Sequence, residues 1–314
     1  MEILNLLYCF DKNYNIQSIV SIDSICRNIK DFEINIYIIH DEPETFEIHK
    51  RYLYKYENLN KIEVIKFNQD TLNFPNLINK HVSAATYFRL FITEFIPSDI
   101  NFIIYLDSDV FCFNNPLKKI IDTFDQMKKN KKTIAASTEI IKKNKNHDLF
   151  LNLELVQNNY FNAGVMLIDY QKWQRETSIS EFNVLLEMYK DKIIFWDQDI
   201  LNKKFDGNYF ELDEKLNYRK ITNNNIEDSL QENYFIHFVG NNKPWTIEAG
   251  CDNLSKVYFE NYKKIYGKKY HFKNKDSKLK SISALFKNIF SFNFLNANYP
   301  ISYIAESLKT ILFK

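Results

Sequence analysis

Phe102-Ile103-Ile104-Tyr105-Leu106-Asp107-Ser108-Asp109 is the stretch on which the fold turns. The unbroken apolar and aromatic run reads as a strand buried on both faces, of the kind found in sheets covered by helices on both sides. It ends abruptly in two carboxylates. In open α/β sheets, ligands collect beyond the carboxyl ends of strands, so both acids are expected in the crevice. Oxygens one residue apart can share one hard cation, Mg²⁺ or Mn²⁺. Such a cation would neutralise a diphosphate leaving group. A solvated turn is the competing reading of the motif taken alone.

Upstream, Ile3 to Cys9 is a short apolar run, Ile16 to Ile29 carries apolar residues at helical spacing, and Ile34 to Ile39 is again β-branched. Strand, helix and strand in succession predict an α/β fold with a mainly parallel sheet. Further strands are expected at Ile62 to Phe67, Ile134 to Ser137, Val165 to Ile168 and Phe235 to Val239. Ser83 is a candidate cap for a helix through Arg89 to Phe95, which Pro97 stops. Asn114-Asn115-Pro116 marks a turn, and Asn223 to Asn225 a loop. After Tyr266 the composition shifts toward lysine and aromatic residues, which places a subdomain boundary there.

A chain of 314 residues, 45% hydrophobic, can bury a sizeable core without disulfide or metal staples. Its formal net charge of +1 offers no global case for nucleic-acid binding. That total hides a segregation: from Lys268 onward there are nine lysines and two acids, +7, which leaves −6 for the rest. Cys9, Cys26, Cys112 and Cys251 are scattered, with no CxxC pair, and suit a reducing cytosol. Nothing near the N-terminus reads as a signal peptide, and no segment has the roughly 18 uninterrupted apolar residues of a membrane span. The five glycines are placed so that no GxGxxG, GxxxxGK[ST] or GxSxG exists, and HExxH is absent as well. Dinucleotide-fingerprint, P-loop, serine-hydrolase-elbow and zincin readings are thereby excluded.

Three more segments carry chemistry. Tyr160-Phe161-Asn162-Ala163-Gly164 entering an apolar strand lets the backbone approach a ligand closely and offers an amide, although taken alone an ordinary turn is the better reading. Trp196-Asp197-Gln198-Asp199 opens a helical pattern, where an isolated Asp197 reads first as an N-cap. Phe235 to Trp245 contains His237, a metal ligand or a hydrogen-bonded core residue, and Lys243, a point charge for phosphate. A strand followed by Asp-x-Asp-Val also resembles the nucleophile motif of haloacid-dehalogenase-type phosphatases. Those usually carry it near the N-terminus, which leaves the decision to the rest of the chain.

In order and spacing, Asp11-Lys12-Asn13-Tyr14, Thr86 to Leu90, Tyr105 to Asp109, Tyr160 to Gly164, Asp197 to Leu201 and His237 to Trp245 together resemble the retaining glycosyltransferases of family 8. That family includes bacterial lipopolysaccharide galactosyl- and glucosyltransferases and glycogenin. The resemblance spans roughly residues 1 to 250 and displaces the phosphatase reading. It implies a single GT-A-type nucleotide-sugar-binding domain, residues 1–266, with a mainly parallel mixed sheet flanked by helices, followed by a helical basic extension, 267–314. It further implies that Asp107, Asp109 and His237 bind Mn²⁺, with Mg²⁺ as the alternative. Asp11, Asn13 and Tyr14 match positions near uracil and ribose, and Arg89, Asn162, Ala163, Asp197 and Gln198 match the sugar pocket. Asp107-Ser108-Asp109, Gly240 and Lys243 match the diphosphate site. For Arg89 alone, a surface ion pair is the plain expectation. Cys9 and Phe10 stand where small residues are usual, and Asn114-Asn115-Pro116 replaces an expected glycine turn.

The implied activity is transfer of galactose or glucose from a UDP-sugar to a hydroxyl of a glycan acceptor, such as lipopolysaccharide, with retention. Front-face attack needs no enzyme base, whereas double displacement needs a carboxylate at the anomeric carbon. Asp197 and Glu139 are the candidates, and Gln198 is a neutral group suited to stabilising oxocarbenium character. The alternatives are self-glucosylation of the glycogenin kind, or a non-catalytic sugar-nucleotide binder. Leu279, Ile282, Leu285, Phe286, Ile289 and Phe290 recur at helical spacing among lysines, and a second helix is expected from Pro300. Such a helix either lies on an anionic membrane surface or packs on the catalytic domain. The expected location is the cytoplasm, peripheral to the inner face of the membrane, and deleting 270–314 is expected to abolish liposome binding.

Overall fold

The computed structural model describes residues 3–68, 74–75, 83–139, 149–157, 159–240, 243–274 and 277–313. In chain order the regular elements are β1 (Ile3–Phe10), α1 (Asn15–Asn28), β2 (Glu33–His40), α2 (Pro43–Lys50), β3 (Leu59–Lys66), β4 (Phe102–Leu106), β5 (Val110–Cys112), α3 (Leu117–Lys129) and β6 (Ile134–Thr138). They continue with α4 (Leu149–Asn152), β7 (Phe161–Asp169), α5 (Tyr170–Glu176), α6 (Ile179–Tyr189), α7 (Trp196–Phe205), β8 (Phe210–Glu211), α8 (Ile226–Glu232), β9 (Phe235–His237), α9 (Asn253–Tyr266), α10 (Lys278–Phe290) and α11 (Pro300–Phe313). The seven-stranded sheet runs β3-β2-β1-β4-β7-β6-β8. Its β3-β2-β1-β4 half is parallel, β7 is antiparallel to both β4 and β6, and β8 returns parallel to β6. This is the mixed, mainly parallel α/β architecture that the succession of strands and helices implied.

Alternate side chains explain why both faces are covered. Along β1, Leu4, Leu6, Tyr8 and Phe10 enter one apolar cluster, while Leu7 and Cys9 enter the other. Along β4, Ile104 and Leu106 join the first, and Ile103 and Tyr105 the second. A period of two with both sets apolar requires helices on each side of the sheet. α1 and α9 contribute to the first layer, α6 and α7 to the second.

Several local expectations change. Asn162-Ala163-Gly164 lies within β7 and not in a turn before it, because the strand begins at Phe161 and pairs Asn162 with Ser137. Ser83 does cap a helical stretch, accepting from the Ala85 N–H, but Ala84–Glu94 is 3₁₀ with a kink at Phe91 instead of a regular α-helix. The run expected as a strand over Phe235 to Val239 is shortened to β9, which pairs antiparallel with β5 in a separate two-stranded sheet. Apolar periodicity marks neither β5 nor β8, each too short for a period to show. The Asn114-Asn115-Pro116 turn leads into α3, with the Asn114 amide donating to the carbonyls of Leu230, Gln231 and Asn233. In the His237-to-Trp245 segment, Asn241 and Asn242 lie outside the described residues.

The chain after Gly267 joins the body. Tyr270, Phe272, Leu285, Ala297, Tyr303 and Ile311 belong to the same apolar cluster as β1 and α1. Gly267, at φ +69°, supplies the left-handed cap that ends α9 and starts the return. The outward face of the last helices is a different surface: Leu279, Phe286, Phe290, Ile301, Leu312 and Phe313 are exposed. Among the described residues, no helix is long and apolar enough to cross a membrane.

Candidate active site

The site forms where the parallel half of the sheet meets the antiparallel half. β4 ends at Leu106, and the Asp107 N–H continues the ladder to the Gly164 carbonyl at 2.8 Å. The chain then turns, with Val110 N–H donating to the Asp107 carbonyl at 3.1 Å, and enters β5. There Val110 pairs with His237 of β9. Strand pairing therefore delivers an imidazole from far along the chain to two carboxylates at a strand end. Candidate ligand atoms of Asp107, Asp109 and His237 all lie within 4.8 Å of one another.

Hydrogen bonds define the face that His237 presents. Asn217 Nδ2 donates to Asn162 Oδ1 at 3.1 Å, which leaves Asn217 Oδ1 to accept from His237 Nδ1 at 2.9 Å. The ring proton thus sits on Nδ1, and Nε2 turns its lone pair toward Asp109 Oδ1 at 3.3 Å and Asp107 Oδ2 at 4.0 Å. Three acceptors facing one another call for a positive charge. Part of it comes from the Lys243 ammonium, which contacts Asp109 Oδ2 and donates to the Phe238 carbonyl at 2.7 Å. Burial raises the Asp109 carboxyl, yet with the Lys243 ammonium against it the group is held well below the usual carboxylate range. Space is kept open by Gly164: a Cβ there would stand 2.2 Å from His237 Cε1 and 2.7 Å from Asp107 Oδ2. An oxygen–nitrogen donor set with an oriented imidazole and a glycine-walled approach fits a divalent cation.

Arg89 braces this cluster from beneath. Its guanidinium is buried, lies 4.5 Å from the Tyr105 ring centroid, and donates to the Ala163 carbonyl at 2.6 Å and Asp107 Oδ1 at 3.3 Å. It also grips Asp197 through Nη2 to Oδ1 at 3.2 Å and a close Nε contact to Oδ2. The surface ion pair that Arg89 alone would suggest is therefore replaced by a buried bracket between two acids. Asp197 is not the N-cap either. Phe195 holds that position, and Asp197 lies in the first turn of α7 with 1% exposure. Burial pushes its carboxyl up to about 6 against the pull of Arg89. The turn into α7 is tight: Trp196 adopts φ +48°, a left-handed conformation uncommon for a bulky residue.

Gln198 follows on the same helix turn. Its Oε1 accepts from the Ala163 N–H at 3.0 Å and Asn162 Nδ2 at 3.4 Å, and its Nε2 donates to Tyr160 Oη at 3.2 Å and Glu139 Oε2 at 3.3 Å. Glu139 also faces Arg219 at 3.6 Å. Asn162, Ala163, Gln198 and Glu139 thus share one network, and Arg89 joins it to Asp107. Ser108 turns elsewhere: its hydroxyl meets Ser18 Oγ at 2.7 Å, and Ser18 donates to the Tyr14 carbonyl at 2.9 Å.

The Asp11-to-Tyr14 loop forms the next wall. Asp11 caps it, accepting from Asn13 N–H at 2.9 Å and Asn13 Nδ2 at 3.2 Å. Tyr14 meets Trp245 edge-on, with centroids 6.2 Å apart. Lys273, from the chain beyond α9, donates to the Asn13 carbonyl at 2.5 Å and stands 4.5 Å from the Tyr14 centroid. Gly240 adopts φ +78°, the left-handed region that favours glycine, and among the described residues nothing stands within 4 Å of where its Cβ would lie. Sequence reasoning missed Asn217, Tyr105, Tyr160, Arg219 and Lys273. Tyr160 and Tyr105 stood inside quoted motifs, but nothing local marks Asn217, Arg219 or Lys273.

Comparison with known proteins sets this geometry in context. The model of the family described as glycosyl transferase family 8 matches residues 5–249. A lipopolysaccharide 1,2-glucosyltransferase of Escherichia coli (strain K12) is 28% identical over 266 residues, 78% of this chain and 73% of its own. A lipopolysaccharide 1,3-galactosyltransferase of Salmonella typhimurium is 26% identical over 258 residues, covering 77% of this chain and 72% of its own. Among solved structures, the galactosyltransferase LgtC in complex with donor and acceptor sugar analogues superposes with a TM-score of 0.69 at 24% identity. That match spans 84% of this chain and 96% of LgtC and bears on the fold.

Proposed function

This chain belongs to glycosyl transferase family 8, and from that premise we propose that it transfers galactose or glucose from a UDP-sugar to a glycan hydroxyl, with retention at the anomeric carbon. The observation that carries this reading is the convergence of Asp107, Asp109 and the His237 Nε2 lone pair at the end of β4. An acceptor of lipopolysaccharide type is supported by the names of the two bacterial relatives. One imidazole beside two carboxylates favours Mn²⁺ over Mg²⁺. Bound there, the cation would neutralise the donor diphosphate.

The protein's own groups have distinct tasks in this reading. Lys243 compensates Asp109 and is the natural ammonium for a phosphate oxygen brought beside it. Asp11, Asn13 and Tyr14 form the nucleoside wall, backed by Trp245 and Lys273. Arg89 holds Asp107 in place by a hydrogen bond, while Asn162, Ala163 and Gln198 line the sugar side. In front-face transfer, the bond from the anomeric carbon to UDP breaks as the acceptor oxygen bonds to the same face, and the acceptor proton passes to the departing phosphate. This route is favoured because Arg89 engages both Asp197 oxygens and Glu139 is held by Gln198 and Arg219. We take 1–266 as the catalytic body and 267–314 as an extension that packs on it by one face. The exposed Leu279, Phe286, Phe290 and Phe292, among Lys278, Lys280 and Lys287, are proposed to rest on an anionic membrane surface at the cytoplasmic side.

UDP release from a panel of UDP-sugars, with and without Mn²⁺, tests the reading. Metal-dependent turnover of one donor, lost in Asp109→Ala, is expected. Silence with every donor from a folded protein that binds no UDP would refute it.

A further inference from the structure

A primary amide is nearly symmetric in shape, so a side-chain amide in a site keeps one orientation only if its neighbours tell oxygen from nitrogen. Gln198 is such a group, and its director lies one residue on. Asp199 is fully buried, and its Oδ2 accepts from the backbone N–H groups of Ile194 at 2.6 Å and Phe195 at 2.9 Å. Its Oδ1 takes a 2.5 Å hydrogen bond from Tyr160 Oη. Burial and then the Asp199 charge push the Tyr160 phenol well above its ordinary value, so the phenol keeps its proton. With that proton committed to Asp199, the Tyr160 oxygen can only accept, and the donor it finds is Gln198 Nε2 at 3.2 Å.

We infer that Asp199 is a positioning residue that, through the Tyr160 hydroxyl, keeps the Gln198 NH₂ on the Glu139 side and its carbonyl oxygen on the Ala163 side. The inference rests on the reading of Gln198 as part of the sugar site. The backbone donors Ala163 N–H and the Asn162 amide meet the oxygen end, so both ends of Gln198 agree on one orientation. Reversing the hydroxyl would set two donors against each other at Tyr160.

Asp199→Asn performs that reversal. The Ile194 and Phe195 N–H groups demand an acceptor, so the new amide oxygen takes the Oδ2 place and its NH₂ faces Tyr160. The phenol proton then turns toward Gln198 Nε2. Turnover of the UDP-hexose used by the wild type, together with calorimetric UDP–Mn²⁺ affinity, is to be measured for Asp199→Asn, Tyr160→Phe, the double variant and Gln198→Ala. A misplaced reacting group lowers kcat about a hundredfold in Asp199→Asn. Loss of one hydrogen bond lowers it about tenfold in Tyr160→Phe. UDP affinity should stay within a factor of about two. With no hydroxyl to reverse, the double variant should match Tyr160→Phe alone, a non-additive cycle. Multiplying losses, or UDP affinity falling in parallel with kcat, would overturn the inference. Should Asp199→Asn fail to fold, an unchanged kcat in Tyr160→Phe overturns it equally. Full activity in Gln198→Ala, or no donor turned over by the wild type, would instead fell the reading beneath it.

Discussion

At the scale of single residues, space and charge decide the site. Gly164 walls the Asp107–Asp109–His237 cluster at a distance no Cβ tolerates. Gly164→Ala must therefore displace the imidazole or the carboxylate, at about 1–3 kcal/mol of stability as for other overpacked sites. The expected outcome is a folded protein whose Mn²⁺ affinity, followed by paramagnetic resonance titration, drops at least about tenfold, since 1.4 kcal/mol is one decade. Asp197 supplies a pH signature. Its folded value of about 6 lies above its ordinary 3.8, so the folded protein holds the proton more tightly than the unfolded chain between those values. Stability from this group is present below about pH 4 and is lost as pH rises toward 6. Asp197→Asn has nothing to titrate. The Tm of wild type minus variant should fall across that window, and a flat difference would count against the buried, Arg89-bound carboxyl.

Among the elements, α10 carries two faces with different fates. Ser281, Leu285 and Asn288 are buried, and the Asn288 amide donates to Tyr303 Oη at 2.9 Å. Phe286 and Phe290, with centroids 6.0 Å apart, stand outside. Each phenyl ring that enters an interface contributes on the order of 1.5–3 kcal/mol. The pair Phe286→Ser and Phe290→Ser should weaken binding to phosphatidylglycerol vesicles at least about a hundredfold. UDP release should be unchanged, because neither ring touches the site. Vesicle binding that survives both substitutions would leave this face without its proposed role. The 3₁₀ stretch Ala84–Glu94, kinked at Phe91, carries Arg89 inward between Asp107 and Asp197.

Over the whole molecule, the extension and the Asp11-to-Tyr14 loop are joined. Lys273 bonds the Asn13 carbonyl and covers Tyr14, and the backbone at Lys273 bridges to Thr246 beside Trp245. Losing a cation–π contact of about 0.5–1 kcal/mol, Lys273→Ala should bind UDP roughly two- to fivefold more weakly by calorimetry, with vesicle binding unaffected. An unaltered UDP affinity would uncouple the two regions. Deleting 270–314 removes Tyr270, Phe272, Leu285 and Tyr303 from the core, so it would unfold the body and cannot isolate a membrane role. Much of this architecture was legible in order along the chain. The alternating apolar residues of β1, β2 and β4 determine a sheet covered on both faces, and Asp107 and Asp109 directly after Leu106 determine where its acidic site lies. Those are local patterns, readable because strand period and strand end are properties of adjacent residues. Tertiary structure alone decided the rest: Arg89 as a buried bracket, Asn162 inside a strand, the His237 proton held on Nδ1 by Asn217, and a tail that is half core and half surface. Each depends on partners brought together by the return of distant chain, and spacing along a sequence carries no record of which segments will meet.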